Sequence, residues 1–257
     1  MTNPPAPGLR LERDGPVARL LLDRADKRNA MDQAMWAALP SLLAHAAADP
    51  ALRVLVLQSA QPGLFCAGAD IGEMAAHRTD PTWLAANQAA INQAQYELAR
   101  AALPTVAFVD GDCIGGGCGL ALACDFRVAS PRARFGVTPA RLGLTYPLHD
   151  TKLLVDLVGP GQAKRLLFTA GLIDAAEAHR IGLAELLADS ADELAATIAG
   201  LSPASHRGNK AFVRRLLDGQ TADDAQTLAA FTAAFAGPDF AEGTAAFLEK
   251  RTANFGG

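Results

Sequence analysis

Two glycine-rich corners carry the most suggestive chemistry in this 257-residue chain. One is Cys66-Ala67-Gly68-Ala69-Asp70, just after the apolar run "RVLVLQSA"; the other is Gly115-Gly116-Gly117, just after "TVAFVDG". Each turns the chain with almost no side chain in the way, and each leads into a helical pattern. Amides at a helix start have no internal partner and carry the positive end of the helix dipole. Two such corners brought together would set two N–H groups around one oxygen, an oxyanion hole in which one donor is worth roughly 3 kcal/mol of barrier. The same glycines would also serve tight packing or simple turns. A nucleotide-binding loop fits less well, since the triple glycine forms no G-x-G-x-x-G and no Walker lysine follows it.

The titratable residues nearby each admit two readings. Asp70 and Glu73 have the spacing of an acid–base pair and equally of a capping box, with Asp70 on the Glu73 amide. Asp150 stands where it would cap the helix "TKLLVDLVG", or would act as an acid. His149 is a candidate acid or base. Tyr146 offers a hydroxyl for chemistry or a packed ring with its hydroxyl satisfied. The four cysteines, Cys66, Cys113, Cys118 and Cys124, form no C-x-x-C pair and read as free core thiols of a reducing cytoplasm. The remaining histidines show no metal-ligand spacing, so no metal is expected.

Positioning these residues requires an α/β core. "LRLERDGPVARLLLD" reads as a hairpin turning at Asp14-Gly15, although Pro16 weakens the signal. Asp32 is placed as the N-cap of a helix to Ala48. A polar, mobile segment around Thr79 to Pro81 precedes the helix "NQAAINQAQYELARA", which Pro104 stops. Strand–helix–strand alternation implies crossover units. From about Leu148 the chain is nearly all helical, with a turn at "LVGPGQ", a short strand at "LAELL" and three alanine-rich helices last. We place a core at residues 1–202 and a helical region at 203–257. Half of the residues are hydrophobic and the formal net charge is −4, which excludes a binder relying on a generally basic nucleic-acid surface. No apolar run is long enough for a membrane span and the N-terminus lacks a secretory pattern, so a cytoplasmic protein is expected.

Several segments in order, "DKRNAMD", "FCAGADIGEM", "GGGCGLALACDFRVAS", "RFGVTPARLGL" and "FLEKRTANF", together resemble the crotonase (enoyl-CoA hydratase/isomerase) superfamily from about Leu9 to Phe255. The resemblance implies a spiral of β-β-α units ahead of a helical C-terminal region, assembled as a homotrimer or a dimer of trimers. It implies an acyl-CoA substrate, with no separate cofactor, whose thioester oxygen lies between the amides of Ala69 and Gly116. Lys27, Arg28 and Ala30 match the loop that lies along CoA, and Ala67, Asp70 and Ile71 belong to the same CoA-facing corner. Phe247 and Lys250 match a C-terminal pair that reaches CoA in many relatives, sometimes across a subunit boundary. Asp125 matches a common position that reads as structural.

The chain departs from that pattern where hydratases keep their two glutamates. Those positions align with Gly119 and Pro139, neither of which can move a proton. An aspartate used by some isomerases aligns with Pro147. "FGVTPARLGLTYP" is similar to the matching stretch of methylmalonyl-CoA decarboxylases, whose catalytic tyrosine aligns with Tyr146. The leading expectation is therefore decarboxylation of a malonyl-type CoA, which generates its enolate without a base. Hydration or isomerisation through His149 or Asp150 is the alternative, and an acyl-CoA binder without turnover the third. The segment from Met74 to Trp83 is expected to shape the acyl pocket.

Overall fold

The computed structural model describes residues 7–256, so the first six residues of the N-terminal stretch lie outside the description. The hairpin β1 (Leu9–Asp14) and β2 (Val17–Leu22) turns at Gly15-Pro16, one residue later than the sequence suggests, with Asp14 still in the strand opposite Val17. Pro16 is accommodated because it falls in the turn, where its missing N–H takes nothing from the ladder. Beyond it, β3 (Val54–Ser59), β4 (Thr105–Val109), β6 (Phe126–Ala129) and β9 (Leu186–Leu187) add in parallel to give a six-stranded sheet ordered β1-β2-β3-β4-β6-β9. The "LAELL" strand is thus confined to its last two residues. A second sheet, absent from the sequence reading, joins β5 (Asp112–Ile114), β7 (Arg134–Gly136) and β8 (Ile173–Asp174).

Helices α1 (Gln33–Ala48), α2 (Ile71–Ala76), α3 (Pro81–Ala99) and α4 (Gly116–Ala123) surround the candidate corners. Asp32 caps α1 by accepting from the Met35 amide at 2.9 Å, as its position predicts. The stretch expected to be a loop before α3 is instead a helix start: Asp80 accepts from the Thr82 and Trp83 amides, Pro81 occupies the first turn, and His77 stacks on Trp83 at 4.7 Å. The Pro104 break holds. α5 (Leu148–Thr169) bends at Gly159, whose φ of +73° marks the "LVGPGQ" turn. Then come α6 (Ala175–Arg180) and α7 (Asp192–Ala199).

The chain finishes with α8 (Pro203–Leu217), α9 (Ala225–Ala236) and α10 (Pro238–Glu249). Asp125 is structural, as expected. Its carboxylate accepts from the Thr105 amide (2.7 Å) at the head of β4 and from Lys210 Nζ (2.7 Å) on α8, fastening the tail to the sheet. No helix among the described residues is long and apolar enough to cross a membrane.

Candidate active site

The two corners are stitched to each other. The Cys66 amide donates to the Asp112 carbonyl (2.9 Å) and the Ile114 amide to the Cys66 carbonyl (3.0 Å), a one-residue parallel bridge onto β5. β5 leads directly into Gly115 and α4. On its other side the first corner pairs with the loop before α1. The Ala67 amide donates to Arg28 O (3.0 Å), Met31 N to Gly68 O (2.7 Å), and Asp70 N to Met31 O (2.8 Å). These bonds pass over Ala69, whose amide has no partner among the described residues. Gly116 is the first residue of α4, so its amide is likewise free of an intrahelical acceptor.

Glycine is needed at both ends of this arrangement. Gly68 has φ +100°, and a methyl group there would fall 2.8 Å from Ile114 O. At Gly117 a methyl would meet the Cys66 side chain at 2.7 Å, so the start of α4 rests directly on the first corner. A methyl at Gly116 would lie 3.4 Å from the Ala69 nitrogen and 3.2 Å from the Trp36 ring. The Ala69 and Gly116 amides therefore border one small volume walled by Trp36, at the positive end of the α4 dipole. That is what an oxyanion requires.

Asp70 and Glu73 are spent on structure. Asp70 accepts from the Glu73 amide (3.1 Å) and from Arg24 Nη1 (2.8 Å), and the Arg24 hydrogen bond leads in holding its carboxyl below the usual aspartate range. The Glu73 carboxylate accepts from the Gln33 amide at 2.9 Å, so only half of the expected capping box forms. Arg24 also donates to Ala30 O at 2.9 Å, tying the CoA-loop candidate to the corner. Beside it, Asn29 is fully buried, donating to Phe65 O (2.8 Å) and Ser59 Oγ (2.9 Å).

Asp150 is not a helix cap. Pro147, with its φ already near −60°, starts α5 at Leu148, which moves Asp150 into the first turn with its side chain inward and wholly buried. Its Oδ1 lies 3.5 Å from His149 Nδ1, and its Oδ2 has no hydrogen-bond partner. Burial pushes this carboxyl above the ordinary range, and the polar neighbours His149 and Gln95 offset part of the rise. The Oδ2 atom reaches over α4: a methyl at Gly119 would meet it at 2.6 Å and would come closer still to Gln95 Nε2. His149 is partly buried with its Nε2 unpaired. The Tyr146 hydroxyl donates to Gly115 O at 3.1 Å, and burial, then nearby Cys118 and Asp150, raise the phenol well above its usual value.

The other candidates fall on the outer side of the corner or away from it. Arg28 lines a cavity of about 270 Å³ with Ala67, Ile114, Arg132 and Arg134. The last two are paired with Asp110 and Asp112, whereas Arg28 and Lys27 have no acidic partner among the described residues. Ile71 is half exposed at the start of α2. Phe247 is 82% exposed on α10 and Lys250 ends that helix; within one chain the structure does not bring them to the corners. The cysteines are free and buried.

Residues 12–257 match the family profile described as Enoyl-CoA hydratase/isomerase. The chain belongs to this family. It is 35% identical to a crotonyl-CoA hydratase of Syntrophomonas wolfei, over 95% of this chain and 96% of that one. It is 34% identical to a short-chain-enoyl-CoA hydratase of Clostridium acetobutylicum, over 94% of each. A solved structure assigned to the family, from Hyphomonas neptunium, superposes with a TM-score of 0.93 and 38% identity, covering 96% of this chain and 97% of that one. The α/β core and helical C-terminal region are thus those of crotonase-like proteins, and the family acts on acyl-CoA thioesters.

Within this enoyl-CoA hydratase/isomerase fold, one of the two missing glutamate positions is not bare. The resemblance aligns a hydratase glutamate with Gly119, and the Asp150 carboxyl arrives over that glycine from α5. Pro139 has no such substitute; it begins a 3-10 turn over Pro139–Leu142. Sequence reading missed Arg24, Asn29, Trp36 and Gln95. Asn29 carried a signal, an asparagine in a loop with φ +57°, where Asn is enriched. The others are ordinary helix or loop residues until the tertiary fold faces them inward.

Proposed function

We propose that this chain reversibly hydrates the double bond of a short 2-enoyl-CoA. The thioester oxygen accepts from the Ala69 and Gly116 amides. Water adds to the β-carbon while Asp150 takes its proton, the double-bond electrons move onto the thioester as an enolate, and Asp150 returns the proton to the α-carbon. Atoms and charge balance with one carboxyl doing both transfers. The observation that carries this reading is the unpaired, buried Asp150 Oδ2 over Gly119, and the hydratase names of the relatives support it. Lys27 and Arg28 suit the CoA phosphates. Exposed Phe231, Phe240 and Phe247 on the last two helices suit burial against another copy, in a homotrimer or dimer of trimers with Phe247 and Lys250 reaching CoA.

Decarboxylation of a malonyl-type CoA is the second reading. It is favoured by the single carboxyl with a raised affinity for its proton, a donor for the enolate left when carbon dioxide departs. The test is mass spectrometry of crotonyl-CoA, malonyl-CoA and methylmalonyl-CoA incubated in parallel with the protein. Addition of water to crotonyl-CoA supports hydration. Loss of carbon dioxide from either malonyl-type ester, with crotonyl-CoA untouched, replaces hydration by decarboxylation. Three unchanged substrates with CoA still bound refute turnover on this panel and favour a binder.

A further inference from the structure

Gln95 is completely buried in α3, among Ala94, Leu98 and Ala99, yet both polar atoms of its amide lack a hydrogen-bond partner. On the outer face of the same helix, Gln88 donates to Asn92 (2.8 Å) and Gln93 to Glu97 (2.7 Å), so its glutamines find partners even where water would serve. A buried amide left unsatisfied costs stability that leucine at the same position would not. The orphan is also not alone. Gln95 Nε2 and Asp150 Oδ2 approach the same point above Gly119; Gln95 lies near enough to weaken the Asp150 carboxyl's hold on its proton, yet neither atom reaches hydrogen-bond geometry with any partner.

An amide nitrogen only donates and an ionised carboxylate only accepts. Side by side they complement a group that does both, a hydroxyl or the water that becomes one. An alkyl carbon in that place would leave both unpaired in a dry site. A carboxylate would face Asp150 with like charge. Gly119 permits the approach, because any side chain there would displace Gln95 and Asp150.

We propose that Gln95, acting with Asp150, recognises the oxygen on the β-carbon of the acyl group, which makes it the residue that positions water and selects 3-hydroxyacyl-CoA over plain acyl-CoA. This rests on the hydration reading for the site, but its readout is binding rather than rate. Titration calorimetry compares 3-hydroxybutyryl-CoA with butyryl-CoA on the wild-type protein, Gln95→Leu and Gln95→Met. The wild type should prefer the hydroxy ester about tenfold or more, the affinity ratio that one or two net hydrogen bonds confer. Gln95→Leu should lose that preference, keep its butyryl-CoA affinity and melt no lower than wild type. Gln95→Met, which keeps the length but removes the donor, should lose the preference too.

Equal binding of the two esters by the wild type overturns the proposal. So does a clear fall in the melting temperature of Gln95→Leu, which would make Gln95 a structural partner of Asp150. A retained preference with no crotonyl-CoA turnover removes the hydration reading and leaves the recognition standing. Turnover with the preference unchanged in Gln95→Leu removes the recognition alone.

Discussion

Gly117→Ala tests whether the contact between the corners sets the oxyanion hole. The added methyl would press first on the Cys66 carbonyl oxygen and would start 2.7 Å from the Cys66 side chain. Carbon atoms prefer about 3.5–4.0 Å, so the start of α4 must move by about 1 Å relative to the first corner. Overpacking of this kind costs about 1–3 kcal/mol of stability. A 1 Å misplacement can cost about 100-fold in rate, and losing one hole donor costs about 10²–10³-fold. The expected result is a folded protein with a lowered melting temperature, CoA affinity retained and turnover down by about 100-fold. Turnover is followed by mass spectrometry of crotonyl-CoA and by exchange of the C2 hydrogens of butyryl-CoA in D2O. Gly208→Ala is the control: nothing lies within 4 Å of a methyl there, and in a helix interior it should stabilise by about 0.5–1 kcal/mol. Wild-type rates in Gly117→Ala despite the lower melting temperature would refute the claim that this contact fixes the two donors.

Four further outcomes follow from the same region. Asp150→Asn should lower turnover by about 10²–10⁴-fold. Because burial raises the native Asp150 pKa, the folded state holds that proton more tightly than the unfolded chain, whose value is about 3.9. This contribution is fully present below the unfolded pKa and is lost as pH rises to the native one. Urea midpoints from pH 4 to 7 should therefore fall less steeply in Asp150→Asn than in wild type, and parallel curves would count against the raised value. Tyr146→Phe should cost about 0.5–1.5 kcal/mol, since Gly115 O keeps the Gly119 amide at 3.0 Å; a rate loss beyond about 100-fold would give the hydroxyl a chemical task. Burial pushes the Cys66 and Cys124 thiols up to about 12, so iodoacetamide at pH 8 should label them only in urea, and rapid native labelling would contradict that burial.

The corners were legible because glycine and small residues at strand ends report backbone geometry directly, and at Gly68 and Gly117 a methyl would meet neighbouring backbone. Asp32 as a cap was legible for the same local reason. The capping reading of Asp150 failed because capping depends on where the helix begins, and Pro147 moved that start three residues upstream. What Asp150 reaches depends on α4 passing beneath it, a contact between distant parts of the chain that no local pattern encodes. Gln95 was invisible for a related reason: in a helix with Gln88 and Gln93, only the neighbours of α3 distinguish a buried amide from solvated ones. The second sheet went unread because its strands are only two or three residues long, too short to show a period.

The first corner is held from two sides, by β5 and by residues 28–31, with Arg24 bracing Asp70. It behaves like an instrument mount with more constraints than it needs, so thermal play in one support is absorbed by the others. The segment from Met74 to Trp83, assigned to the acyl pocket from the sequence alone, joins none of those mounting bonds. Substitutions there can therefore accumulate while the two amides keep their separation.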